Sequence, residues 1–137
     1  MLLLLTAAGC TSPSHTDEDF RRKAVESLKQ AAGAVGTAEY AALLAERDDA
    51  FDPYLAVLTG DARTTGESVR DTFTAVTPPT GRAEQLGTEV GALLRRTADA
   101  LAAADEAAGQ GPEALAAERA TLEDVDGRLE ELQGRLG

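Results

Sequence analysis

The stretch PEALAAERATLEDVDGRLEELQGRL, residues 112–136, sets Leu115, Glu118, Leu122, Val125, Leu129, Leu132 and Leu136 three or four positions apart. An α-helix turns once every 3.6 residues, so this spacing returns each of these side chains to one face. The pattern is a heptad seam of the coiled-coil kind with one acidic interruption, Glu118. Pro112 suits the first position of a helix, and Gly109-Gln110-Gly111 ahead of it breaks the chain.

The same period recurs upstream. Leu86, Val90, Leu93, Thr97, Leu101, Ala104 and Ala108 share a face, as do Leu55, Leu58, Ala62, Thr65, Val69, Phe73 and Val76. Thr77-Pro78-Pro79-Thr80-Gly81 divides these two runs, and Asp52-Pro53 reads as an N-cap followed by proline at the first helical position. The first run passes through Phe20, Ala24, Leu28, Ala31 and Val35. It then changes phase to Tyr40, Leu43, Leu44 and Arg47 around Gly33 and Gly36, which predicts a bend near 33–37. Nothing alternates with period two. The expectation is an all-α, antiparallel four-helix bundle with helices at about 17–49, 53–77, 82–108 and 112–136, each roughly 35 to 50 Å long. Thr65, Thr97 and Glu118 fall on its seams.

Composition agrees with that class. Alanine occupies 27 positions, isoleucine, asparagine and tryptophan are absent, and eleven arginines stand against two lysines. Alanine, leucine, glutamate and arginine are strong helix formers, and the arginine bias resembles that of GC-rich, actinobacterial genomes. With only five aromatic residues, the core is lean.

The formal charge is −11, with −3 in residues 17–49, −2 in 52–77, −2 in 81–108 and −4 in 112–137. An acidic balance in every segment leaves no basic stripe to neutralise phosphates. That disfavours nucleic-acid binding and adsorption to anionic lipid headgroups.

The N-terminus differs from the rest. Met1-Leu2-Leu3-Leu4-Leu5-Thr6-Ala7-Ala8-Gly9-Cys10 runs into Thr11-Ser12-Pro13-Ser14. An apolar run, two small residues, Gly9 and then the chain's one cysteine resemble the lipobox that ends a bacterial lipoprotein signal peptide. The position three before the cysteine is Ala7, where that family usually carries leucine, and no basic residue precedes the apolar run. The resemblance implies that residues 1–9 are a signal-peptide remnant and that Cys10 is the lipidation site. Residues 10–16 then form a solvated leash and 17–137 the bundle, with the leash at one end of the rod, facing the membrane. Two acyl chains on Cys10 give stable anchoring at about 0.8 kcal/mol per buried CH₂. The implied location is the extracytoplasmic face of the cell membrane.

Catalytic chemistry lacks its residues. Asp48-Asp49-Ala50-Phe51-Asp52 matches in letters the DDxxD motif of helical terpenoid synthases, but those enzymes need a longer chain, a second metal motif and basic groups for a diphosphate. Di-iron bundles need Glu-x-x-His pairs, and the single histidine, His15, lies in the leash. No catalytic residue, metal ligand or cofactor site is assigned. Gly87-x-x-x-Gly91 reads as close helix packing, since Arg82, Glu84, Glu89, Arg95 and Arg96 bar its segment from a membrane. The last helix, the most acidic and with the most regular seam, is the candidate for contact with another chain, although the seam also suits the bundle core. The leading reading is a membrane-anchored, non-enzymatic module for protein interaction or envelope structure. The alternative is a bundle that holds a small apolar ligand, or a divalent cation at Asp48 and Asp49.

Overall fold

The computed structural model describes residues 16–137. They form α1 (Asp17–Arg47), α2 (Asp52–Thr74), α3 (Gly81–Gln110), α4 (Pro112–Ala117) and α5 (Arg119–Leu136), with no strand among the described residues. Only Glu118 separates α4 from α5, so the chain makes four rods arranged as an all-α helical bundle.

Local chemistry sets the ends of these rods. Thr16 caps α1 by accepting from the Asp19 amide at 3.0 Å, and Asp17, Glu18 and Asp19 place negative charge on the positive end of the helix dipole. At its other end Asp48 takes a left-handed conformation with φ 55°. Its amide donates to Ala45 O and that of Asp49 to Leu44 O, the paired bonds of a Schellman ending. Thr80 caps α3 by accepting from Ala83 N. Gly111, with φ 126°, occupies backbone space that side chains avoid, and Pro112 opens α4 directly after it.

Contacts between rods give their order. The Phe20 and Phe73 rings, at the start of α1 and the end of α2, lie 5.6 Å apart. Near the start of α2 the buried Thr59 hydroxyl stands 3.2 Å from Asp105 Oδ1, close to the end of α3, and Arg63 pairs with the same carboxylate. Arg119 at the start of α5 pairs with Glu46 near the end of α1. Arg135 at the end of α5 pairs with Glu89 near the start of α3. Opposite ends of consecutive rods therefore lie side by side. In addition, α1 touches α3 across the middle of the bundle, whereas α2 makes no comparable contact with α4 or α5.

Small side chains make up much of the core. Fourteen of the 28 buried apolar residues are alanines, among them Ala31, Ala38 and Ala42 of α1 and Ala98, Ala104 and Ala108 of α3. Larger groups share the core with them, including the buried Leu122, Val125, Leu129 and Leu132 of α5.

Several expectations need correction. The bend near 33–37 is absent, and α1 is one uninterrupted helix of 31 residues. Gly33 and Gly36 face solvent with no outside atom near the position of a Cβ. The buried stripe runs on without a phase change through Ala34, Val35, Ala38, Ala41, Ala42 and Ala45, and its burial offsets the helix cost of glycine. Tyr40 is exposed, while Leu43 and Leu44 are half-buried. Helix α2 ends at Thr74, short of 77, because the residue before Pro78 is pushed out of helical geometry. Thr65 is exposed, and Thr59 and Gly66 take the core positions instead. Thr97 is buried as expected, with its hydroxyl donating to Leu93 O at 2.8 Å. The fourth segment is broken at Glu118, whose amide bonds back to Leu115 O in a tightened turn that leaves its side chain half-buried.

The glycines make opposite predictions. Gly33→Ala and Gly36→Ala should each raise the unfolding free energy by about 0.5–1 kcal/mol in urea titrations. Gly66→Ala should lower it by about 1–3 kcal/mol, since a Cβ there runs into the terminal methyl of the fully buried Leu101.

Candidate functional site

Cys10 and His15 lie outside the described residues. Asp48 and Asp49 sit on the α1–α2 turn, and Asp52 is the first residue of α2. Sequence analysis placed Asp52 at the N-cap, but that position belongs to Phe51, whose side chain makes no capping bond. Among the described residues no group of three or more His, Cys, Asp or Glu is arranged to hold a metal ion. No helix of the described residues is long and apolar enough to cross a membrane. Gly87 does serve close packing, since a Cβ there would stand 3.2 Å from Phe20 Cζ.

The regular seam of the last helix is consumed internally. Leu122, Val125, Leu129 and Leu132 are buried, and α5 lies on α1 and α3. The α1–α5 joint carries an electrostatic load as well. Glu39 Oε1 is buried without a hydrogen-bond partner. Burial pushes this carboxyl above the ordinary range, the charges of Asp126, Glu123 and Glu130 add to the rise, and Arg119 opposes it. Asp126 is raised by burial and by Glu130.

Unburied apolar surface gathers elsewhere. Four large hydrophobic side chains are exposed among the described residues: Phe51 at 72%, Val57 at 58%, Tyr40 at 51% and Tyr54 at 42%. Three belong to the N-cap and first two turns of α2. At 100° per residue, Phe51, Tyr54, Leu58, Asp61 and Thr65 fall on one stripe of α2, with Val57 at its margin. A groove of about 360 Å³ between Gly33, Ala34 and Thr37 of α1 and Asp61, Ala62 and Thr65 of α2 continues that stripe toward mid-molecule. Tyr40 and Leu44 follow Gly33 and Thr37 along the facing edge of α1.

This surface is acidic. Between Glu46 and Asp61 there are five carboxylates, Glu46, Asp48, Asp49, Asp52 and Asp61, and one basic group, Arg47. What the arrangement offers is binding through apolar contact and charge. The last helix, the sequence's candidate for contact with another chain, spends its seam inside the bundle, while the exposed apolar side chains gather on α2. Sequence patterning missed this surface because Leu55, Ala62 and Val69 satisfy the inward face of α2, and nothing in their spacing marks Phe51 and Tyr54 as outward. The legible signal was a phenylalanine at a helix start, set among aspartates.

No protein-family model matches the chain, and no similar curated protein or solved structure is found.

The raised carboxyls give a signed pH dependence. Above their folded-state pKa values Glu39 and Asp126 are charged in both states and their strain is fully felt. As the pH falls through those values the folded chain takes up protons first, so this contribution to stability rises on acidification and levels off below the unfolded-state values. Glu39→Gln should raise the urea midpoint at neutral pH and flatten its change on acidification relative to the parent. A lower midpoint at neutral pH would mean that Glu39 has a stabilising partner.

Proposed function

We propose that the chain is a non-enzymatic helical module, lipid-anchored through Cys10 on the extracytoplasmic face of the cell membrane, that works by binding another protein. The anchor reading is supported by Ala8-Gly9-Cys10 and the Thr/Ser/Pro leash that follows. The binding reading rests on one observation: the exposed apolar surface begins at the end of the bundle opposite Thr16. Thr16 stands beside Phe73 and Thr80, since Thr80 Oγ1 donates to Asp17 Oδ1 at 2.7 Å. Phe51 follows the far end of α1, and 31 helical residues separate the two by about 46 Å. A module tethered at Thr16's end would hold this surface well out from the bilayer. The acidic balance favours a protein partner over nucleic acid or anionic lipid.

Expressed in a bacterial host with its own leader, the parent chain should incorporate an alkyne-tagged fatty acid and sediment with membranes. Cys10→Ala should lose the label and appear in the soluble fraction. Label retained in that variant would reject the anchor, while crosslinking from the α2 surface to no protein at all would reject the binding role.

A further inference from the structure

Two residues on one surface of α1 and α2, Gly33 and Phe51, depart from local rules of helix formation without any gain inside the fold. Phenylalanine is a poor N-cap, because its ring cannot accept the free amides of the first turn, yet Phe51 holds that position with no capping bond. Its ring is also 72% exposed, so burial does not offset the loss. Gly33, in the middle of α1, costs roughly 1 kcal/mol against alanine. It meets no atom that would require a missing side chain. Gly36, Gly127 and Gly134 are equally free of outside contacts, so what sets Gly33 apart is its place in the wall of the α1–α2 groove. Here Gly33 keeps the groove between α1 and α2 open, and Phe51 closes the far end of the same stripe.

We propose that the α1–α2 surface, from the groove beside Gly33 along the exposed stripe to Phe51, is the docking site for a cationic amphipathic segment of a partner protein. The inference rests on the protein-binding half of the proposed function and not on the anchor. Charge selects this occupant. The partner's apolar side chains would meet Tyr40, Tyr54 and the groove beside Gly33, while its lysines or arginines would meet Asp49, Asp52 and Asp61. A second copy of this chain would bring the same aspartates against each other across a twofold axis, and an anionic bilayer would meet like charge. From Ala62 to Phe51 the stripe runs about 16 Å, the length of about eleven helical residues.

The test uses the full chain with a fluorescein-labelled amphipathic peptide of about twelve residues, built from lysine, leucine and one tryptophan. A version with serine for leucine and tryptophan keeps the charge alone, and a glutamate-for-lysine version reverses it. The first peptide should bind, and the other two should bind about tenfold more weakly or not at all. Amide resonances of Gly33, Tyr40, Tyr54 and Val57 should shift on its addition. Gly33→Leu, which fills the groove, and Phe51→Ser, which supplies a better cap, should each weaken binding about tenfold without lowering Tm. Folding failure therefore cannot imitate the expected result. Glu84→Gln with Glu131→Gln, both exposed at the other end of the bundle, should leave affinity unchanged.

Equal weakening by the distant pair would reveal diffuse attraction to an acidic chain and overturn the assignment. So would unchanged affinity in both groove variants, or resonance shifts confined to another face. A concentration-dependent dimer abolished by Phe51→Ser, or binding to phosphatidylglycerol vesicles in place of the peptide, would name a different occupant and also reject the proposal. None of these outcomes bears on labelling at Cys10, so the anchor stands or falls separately.

Discussion

A core that is half alanine governs how the rods pack, and α1 lies at its centre, in contact with every other helix of the described residues. Side chains of one carbon let helix backbones approach closely, and α1 touches α3 as well as its flanking neighbours. Helix α2 on one flank and the α4–α5 rod on the other then cover what remains. Bulkier side chains complete the core, with the Phe20 and Phe73 rings, tilted 45° to each other, at one end and the leucines of α5 along one edge. Each buried alanine removes little apolar area from water, so close packing must supply through dispersion what a leucine core would draw from burial.

Electrostatics works on top of this frame and partly against it. Arginines pin the last rod at both ends, Arg119 to Glu46 and Arg135 to Glu89, with Arg96 and Asp124 3.6 Å apart between them. These pairs are solvent-exposed and contribute little individually. Between the pins, Glu39 faces Asp126 and its acidic neighbours with one oxygen unpartnered. The α1–α5 joint is held by its apolar seam in spite of that charge, whereas the α1–α2 seam opens into a groove with aromatic rings left in solvent.

How much of this could be read from the residues depended on their size. The four rods and their breaks were legible, because leucine spacing, paired prolines and Gly-Gln-Gly are strong local signals. Which face turned inward was less so. Half of the core is alanine, which looks the same in a hydrophobic pattern whether it is inside or outside. The apparent phase change at Tyr40 and Leu43 therefore suggested a bend, while the true stripe ran on through Ala38, Ala41 and Ala45. The same blindness exchanged Thr65 for Thr59 and Gly66, and Leu93 for Leu94. Cys10 was read from local chemistry alone, and no fold bears on it. The α2 surface was invisible to periodicity, since exposure of Phe51 and Tyr54 is a property of the assembled rods.

The alanine interior also governs how the molecule answers to heat and cold. The heat capacity of unfolding grows with the apolar surface newly exposed to water, at a typical 12–15 cal/mol/K per residue or so. A core that is half methyl groups uncovers less such surface per residue, so its stability curve is broad and shallow. Warming or cooling by a few tens of degrees changes its stability less than it would that of a leucine-filled bundle of equal length, and cold denaturation recedes to lower temperature.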